Sequence, residues 1–336
     1  MSRAIHLPSR SSRQQASRAS SAQHSPGVKL TLCGTGSAVP SWVVENDYFV
    51  QELGLDTSAE WIVTKTGIRQ RRFVGTDGSA AALATDAARQ ALDAAGKHPG
   101  DVELIIVATS SPDYSMPSTA CLVQQQLGAA RAAAFDLVNA CSGFAYAFDC
   151  AARYLSTGME TVLVVGVDLG SRLVDMRDRT TCVFFGDGAG AAVLSAGGRG
   201  RLLATTLHAR GDTNSMHAPL GGHVVMNGRA IWNFATRVLA DTVRDLCRQA
   251  GVAVDDLRLV VAHQANWNIL RCAIEELGLP LDRVAYNGDR YGNTLAASIP
   301  LALDEGLRQG RANEGDLIAL VGFGAGLAWG GQLLQL

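Results

Sequence analysis

Three stretches of the 336-residue chain set a residue type that can do chemistry where a strand or a turn gives way to a helix. In Asp136-Leu-Val-Asn-Ala-Cys-Ser-Gly-Phe-Ala-Tyr-Ala-Phe148 an apolar strand turns within a few residues into an Ala-rich helix, with Cys141 at the junction. A cysteine at a helix start meets unpaired N–H groups and the positive end of the helix dipole, which predicts a lowered pKa and a thiolate nucleophile. Small Ser142 and Gly143 would leave room beside it for a substrate carbonyl. A buried structural cysteine is the alternative, as most of the seven in the chain must be. In Leu257-Arg-Leu-Val-Val-Ala-His-Gln-Ala-Asn266 an apolar strand ends at His263, just before a helix opening near Asn266. Ligand sites of α/β sheets gather at such carboxyl ends, although a hydrogen-bonded core histidine suits the same place. Arg290-Tyr-Gly-Asn-Thr-Leu-Ala-Ala-Ser-Ile-Pro300 sets Asn293 in a turn before a small-residue helix, where it could also serve as an ordinary helix cap. Together Cys141, His263 and Asn293 could converge in one pocket. The same trio serves papain-like proteases, so residue types alone leave the reaction open.

The elements that must position these residues follow from the hydrophobic pattern. From Val28 onward short Val/Ile/Leu-rich runs alternate with Ala-rich helical stretches, the mark of an α/β protein with buried strands. Strands are expected at Val28–Cys33, Glu103–Thr109, Ala132–Val138, Glu160–Val167, Thr181–Ser195, Leu202–His208, Leu257–Ala262, Asp316–Val321 and Leu327–Leu334. Helices are expected at Ala80–Ala95, Cys141–Thr157, Ile231–Ala250 and Trp267–Leu277, with Gly96, Gly158, Gly251 and Gly278 at their C-terminal caps. Phe185-Gly-Asp-Gly-Ala-Gly-Ala-Ala-Val-Leu194 and Gly322-Phe-Gly-Ala-Gly-Leu-Ala-Trp-Gly-Gly331 look alike, each reading as a glycine-rich turn between two apolar strands. They suggest a duplicated unit.

Composition narrows the function classes. With 47% hydrophobic and 18% charged residues the chain can bury a large core. A net charge of −2 offers no concentrated basic surface for nucleic acid. No apolar run reaches the roughly 18 residues of a membrane span. Cys33, Cys121, Cys141, Cys150, Cys182, Cys247 and Cys272 show no CxxC metal spacing and read as reduced thiols of a cytoplasmic protein, with no metal site. Residues 1–27 are rich in Ser, Arg, Gln and Ala, contain no Asp or Glu and lack an apolar core, which argues against a secretory signal. They read as a disordered N-terminal extension, with a transit peptide as the alternative.

Asn139-Ala-Cys-Ser-Gly-Phe144, Phe185-Gly-Asp-Gly-Ala-Gly-Ala-Ala192, Val261-Ala-His-Gln-Ala-Asn266, Tyr291-Gly-Asn-Thr-Leu-Ala-Ala-Ser298 and Gly322-Phe-Gly-Ala-Gly-Leu-Ala-Trp-Gly330 resemble, in order, motifs of the β-ketoacyl-[acyl-carrier-protein] synthase III family of thiolase-like condensing enzymes. The resemblance spans residues 28 to 336. It implies a five-layer αβαβα fold of two duplicated halves, residues 28–198 with the cysteine and 199–336 with the histidine and asparagine, working as a homodimer. It implies that Cys141 takes an acyl group from an acyl-CoA while the N–H groups of Cys141 and Ala325 hold the oxyanion, each donor worth roughly 3–4 kcal/mol. A malonyl thioester, on CoA or on acyl carrier protein, then loses CO₂ with His263 and Asn293 donating to its thioester oxygen, and the carbanion attacks the acyl-cysteine. No cofactor is implied beyond these thioester substrates.

By the same resemblance Trp61 and Arg179 flank the CoA adenine, Lys65 stands where Arg is common, and Gly228 and Asn266 line the path of the pantetheine. Phe144 and Met116 are implied in the acyl pocket, Met116 reaching into that of the partner subunit. Asn233 and Asn268 replace basic residues that attract the carrier protein, with Arg271 a partial substitute, and a short segment between Gly211 and Met226 would open the acyl pocket. The implied pathway is fatty-acid initiation or a specialised polyketide or quinolone-type route. The alternative is an acyltransferase that passes the acyl group from Cys141 to an alcohol, amine or carrier thiol. A degradative thiolase fits less well, because Gly322–Gly331 lacks its second cysteine, and a non-catalytic subunit would lack Cys141.

Overall fold

The computed structural model describes residues 28–336, and the extension expected over residues 1–27 lies outside the described residues. The chain opens with β1 (Val28–Ala38), β2 (Trp42–Glu45), α1 (Asn46–Gln51), α2 (Ala59–Thr66) and β3 (Gln70–Phe73). Next come α3 (Ala80–Ala95), β4 (Leu104–Ala108), α4 (Thr119–Leu127), β5 (Ala133–Leu137), α5 (Gly143–Ser156), β6 (Thr161–Leu169) and the single turn α6 (Gly170–Leu173). A long strand, β7 (Asp187–Asp212), and the small hairpin β8 (Met216–His217) and β9 (Val225–Met226) lead to α7 (Gly228–Ala250), β10 (Leu257–Ala262) and α8 (Trp267–Leu277). The chain closes with α9 (Gly288–Tyr291), α10 (Ser298–Arg308), β11 (Leu317–Gly324) and β12 (Gly326–Gln335).

Local chemistry sets the helix ends. Ser58, Ser79 and Ser118 cap α2, α3 and α4 by accepting from the N–H of Trp61, Ala82 and Cys121, and Gly96, Gly251 and Gly278 close α3, α7 and α8 in the left-handed region. Two starts differ from expectation. Asn227 caps α7 through Ala230 N–H, so that helix begins at Gly228 rather than Ile231. Residues Ala140–Ser142 form a 3₁₀ turn, so α5 begins at Gly143 and Cys141 sits in the turn ahead of it. Gly158 follows the cap residue Thr157 instead of being the cap.

The pairing of strands is the same in both halves. β4 runs parallel to β5 and β6, β6 antiparallel to β7, and β7 antiparallel to β1. In the second half β10 runs parallel to β11 and makes a parallel bridge to Val284, β11 is antiparallel to β12, and β12 antiparallel to β7. The long β7 serves both sheets, Asp187–Ser195 pairing with β6 and Arg201–Asp212 with β12. Two separate strands, Thr181–Ser195 and Leu202–His208, are therefore replaced by one. Its first expected residues are lost because Asp178 gathers Thr180 N–H and the hydroxyls of Thr180 and Thr181, winding that stretch into turns. The glycine-rich segment at Phe185 accordingly leads into one strand, whereas the segment at Gly322 is a true hairpin between β11 and β12.

Alternating side chains then build five layers. Leu104 and Ile106 of β4, with Leu259, Val261, Ile318 and Leu320 of the second sheet, pack on α5 and α10 in the middle. Ile105 and Val107 face α3 and α4 on one outside, and Val260, Ala262 and Ala319 face α7 and α8 on the other. Each fully buried Val, Leu or Ile contributes about 1.5–3 kcal/mol, so the αβαβα stack is held chiefly by its three apolar seams. Gly166 is required where β6 meets the start of α10, since a Cβ there would lie 2.3 Å from Ala296 O. Among the described residues no helix is long and apolar enough to cross a membrane.

The short β2–β3 hairpin with α1 and α2, not anticipated from the pattern, forms a cap beside Cys141. Buried Arg71 ties it down by donating to Asn46 Oδ1 at 2.8 Å and Val183 O at 2.6 Å, with its guanidinium 4.5 Å over the Phe49 ring. Burial lowers its pKa to about 9.

Candidate active site

Three loops at one end of the stacked sheets bring Cys141, His263 and Asn293 onto the wall of a single cavity of about 110 Å³. Cys141 is delivered by the turn from β5 into α5, where Ala140 takes φ 46°, a conformation that non-glycine residues hold only when their surroundings enforce it. The end of β11 supports the thiol from the other side. A Cβ at Gly324 would lie 2.7 Å from Cys141 Cβ and 3.3 Å from its Sγ, so only glycine fits there. Ala325, at the tip of the β11–β12 hairpin, packs with the apolar cluster that contains Cys141.

His263 follows β10, its N–H bonded to Val321 O at 2.8 Å and its ring edge-on to Phe323 with centroids 5.2 Å apart. Nδ1 lies 2.7 Å from the Ser298 hydroxyl. Asn293 is anchored at both backbone groups, donating to Phe184 O at 2.8 Å and accepting from Gly186 N–H at 3.0 Å. Its Oδ1 accepts from Leu295 N–H at 2.9 Å, which turns the Nδ2 donors of the amide toward the cavity it lines. Phe184, Phe185, Met216, Met226, Ile231 and Phe323 make the rest of the wall largely apolar.

That environment reverses one expectation. The position of Cys141 ahead of a helix predicts a lowered pKa, but burial pushes the thiol up to about 12, the Asp168 carboxylate adds to the rise, and only its own backbone N–H opposes it. The residue is 2% exposed, so desolvation of a thiolate outweighs the helix terminus. Burial also lowers His263 to about 3, leaving its imidazole neutral across the physiological range. The site thus holds a protonated thiol beside a neutral imidazole. Such a thiol becomes a nucleophile only when a base removes its proton.

Gly228 and Asn266 line the cavity as well. Asn266 caps α8 and donates to Lys65 O at 3.0 Å, joining that helix to the end of α2. Trp61 and Arg179 stand together, with the guanidinium 5.4 Å from the ring, outside the residues that line the cavity, and Lys65 is exposed one helical turn from Trp61. Asn268 turns inward and donates to Thr64 O and Lys65 O, while Arg271 pairs with Glu275 at 3.5 Å, an exposed contact of little energy. Asn233 borders a separate groove on the outer side of α7.

Phe144 is a correction. It is fully buried in the central seam, 6.2 Å from Phe148, and does not line the cavity, because the second residue of α5 points between the two sheets. Met116 also lies outside this chain's cavity, 81% exposed on the loop before α4. The hairpin in the segment from Gly211 to Met226 places Met216 and Met226 in the wall. Ser298 and Leu295, which orient the histidine and the asparagine, carry no signal in the sequence beyond their nearness to Asn293. Phe185 and Phe323 fall inside the glycine-rich segments and could have been found there.

The chain is similar to known proteins over most of its length. Family models described as 3-oxoacyl-[acyl-carrier-protein] synthase III and its C-terminal part match residues 135–211 and 247–336. The chain is 44% identical over 319 residues to a β-ketoacyl-[acyl-carrier-protein] synthase III of Bordetella petrii, covering 91% of this chain and 97% of the relative. It is 46% identical over 321 residues to the Sphingopyxis alaskensis protein of the same name, covering 92% and 99%. The crystal structure of 3-oxoacyl-[acyl-carrier-protein] synthase III from Aquifex aeolicus superposes with a TM-score of 0.88 at 42% identity, covering 92% of this chain and all of that one.

Proposed function

Because the chain belongs to the 3-oxoacyl-[acyl-carrier-protein] synthase III family, we propose that it condenses an acyl-CoA with malonyl-acyl carrier protein through an acyl-Cys141 intermediate, in fatty acid biosynthesis. The observation that carries the residue roles is the shared cavity of Cys141, His263 and Asn293. The Cys141 sulfur attacks the thioester carbonyl, the N–H groups of Cys141 and Ala325 receive the oxyanion, and CoA leaves. Malonyl thioester then enters, loses CO₂ with Asn293 Nδ2 and His263 at its thioester oxygen, and the carbanion attacks the acyl-cysteine. The largely apolar, aromatic wall protects both the thioester and the carbanion from water. Transfer to an alcohol or amine is the less favoured reading, since it gives the oriented Asn293 amide no task.

The contact of Arg179 with the Trp61 ring supports a role for that pair on the CoA adenine, with Lys65 beside Trp61, and the cavity lining supports Gly228 and Asn266 along the pantetheine. We further propose a homodimer. β5 is an edge strand, and next to it Val138 is 75% and Met116 81% exposed, apolar surface that a second copy would cover. The two functional halves, 28–198 and 199–336, would then divide where Gly197 and Gly198 bend β7 between its two sheets. A cytoplasmic location and independence from any cofactor beyond the thioesters remain part of the same proposal.

Labelled acyl-CoA is expected to leave one acyl group on Cys141, read by peptide mass mapping, and a chase with malonyl-acyl carrier protein to discharge it with release of CO₂. His263→Ala and Asn293→Ala should each slow CO₂ release about 10²- to 10³-fold. Normal decarboxylation by both variants would overturn the assigned roles, and a label that malonyl-CoA discharges but malonyl-carrier does not would move the acceptor to CoA.

A further inference from the structure

The first two turns of α7 stand between two concavities. Gly228, Ile231 and Trp232 line the active-site cavity, Asn233 and Arg237 line a groove of about 790 Å³ on the outer side of the helix, and Phe234 belongs to both. Trp232 is 39% exposed although it lines the cavity, so the cavity opens to solvent beside the start of α7, next to the groove. Half-buried Trp329, edge-on to Phe234 with centroids 5.6 Å apart, gives the groove an apolar floor. Arg210, Arg237, Arg244 and Arg248 stand around that floor against Asp241 and Asp245, an excess of positive charge in a chain whose net charge is −2.

These four cations are not equally free. Arg244 pairs with Asp241 at 3.6 Å and Glu276 at 2.7 Å, Arg248 pairs with Asp245, and Arg210 lies 3.9 Å from Asp212. Arg237 is exposed, makes no ion pair among the described residues, and lies one helical turn beyond Asn233 on the same face of α7. On α8, whose Ile269 lines the same cavity, Asn268 turns inward onto Thr64 O and Lys65 O, and exposed Arg271 is outnumbered by Glu275 and Glu276. We propose that the α7 groove is the docking surface for the acidic carrier protein that brings the malonyl thioester, with Arg237 as its main steering charge. The inference rests on the condensing function proposed above. A thioester arm that enters beside Trp232 sets its carrier over α7, where carboxylates meet the free guanidinium and apolar side chains meet the floor of Phe234 and Trp329. A charge at the edge of an interface acts on encounter more than on the chemistry that follows.

Steady-state kinetics of the full-length protein, with malonyl-acyl carrier protein and malonyl-CoA as alternative acceptors, test the assignment. Arg237→Glu should lower kcat/KM for malonyl-acyl carrier protein about 10-fold, chiefly through KM, and should flatten its dependence on salt between about 50 and 300 mM. Acylation by acyl-CoA and turnover of malonyl-CoA should stay at wild-type values, which also shows that the variant is folded. Arg271→Glu should change neither acceptor by more than about 2-fold. A carrier KM that ignores Arg237→Glu, or that responds to Arg271→Glu instead, would overturn the assignment. Equal loss with both acceptors, together with a change in sedimentation, would give the groove to a second copy of the chain and overturn it as well. A wild-type protein that turns over malonyl-CoA but not the carrier thioester would instead sink the acceptor on which the inference rests.

Discussion

Two turns at matching places in the two halves share a backbone and differ in what they carry. Ahead of α5, Ala140 sits at φ 46° and is followed by Cys141, and ahead of α10, Leu295 sits at φ 47° and is followed by Ala296. Each opens a 3₁₀ turn that runs into a central helix. In the first half the turn presents a thiol to the cavity. In the second, Ala296 N–H is spent on the fully buried Asp168, at 3.0 Å, whose carboxylate also accepts from Ser110 N–H and from the hydroxyls of Thr109 and Ser111. Burial pushes Asp168 up to about 6, and its charge raises Cys141. Duplication thus supplies the same strained turn twice. The surroundings make one a nucleophile and tie the other into a hydrogen-bonded knot that works against it.

The sharpest way to break this comparison is to move the thiol. Cys141→Ala should lower condensation at least about 10⁴-fold, and adding Ala296→Cys should restore nothing, because the second turn faces Asp168 and not the cavity. Acyl label at position 296, seen by peptide mapping, would show that the two turns are interchangeable. A smaller effect is expected at the support of the first turn. Gly324→Ala places a methyl against Cys141 and should cost about 1–3 kcal/mol of stability together with a loss of acylation, measured by denaturant unfolding and by labelling rate. Unchanged behaviour would mean that the thiol turn has slack. The smallest effect concerns pH. The base form of His263 is the neutral one, and burial lowers its pKa to about 3, so neutrality is lost only on descending toward that value. Acylation should therefore show no loss from this group between pH 8 and about 5, and a limb near the ordinary histidine value of about 6.5 that disappears in His263→Gln would contradict the buried, neutral imidazole.

Legibility followed the length and regularity of the signal. The bounds of α3 and α8 match their hydrophobic period and glycine caps to the residue, because a long apolar stripe has one place to go. The β2–β3 hairpin and α1 and α2 escaped notice: each is only four to eight residues long, and they hold together around Arg71, whose partners Asn46 and Val183 are distant in the chain. Within the site, His263 and Asn293 were readable from residue type at the end of a strand and before a helix. Ser298 was not, since a serine in a helix start has many uses and only the fold sets it against Nδ1.

The sequence by itself determined the alternation of buried strands with Ala-rich helices and the placing of Cys141 where a strand turns into a helix. Those are consequences of local periodicity and turn chemistry. Tertiary structure alone decided the state of that cysteine. A helix start argues for a thiolate, but the energy of a charge depends on everything packed around it, and here the β11–β12 hairpin, the cap held by Arg71 and the carboxylate of Asp168 surround the sulfur and keep it a thiol.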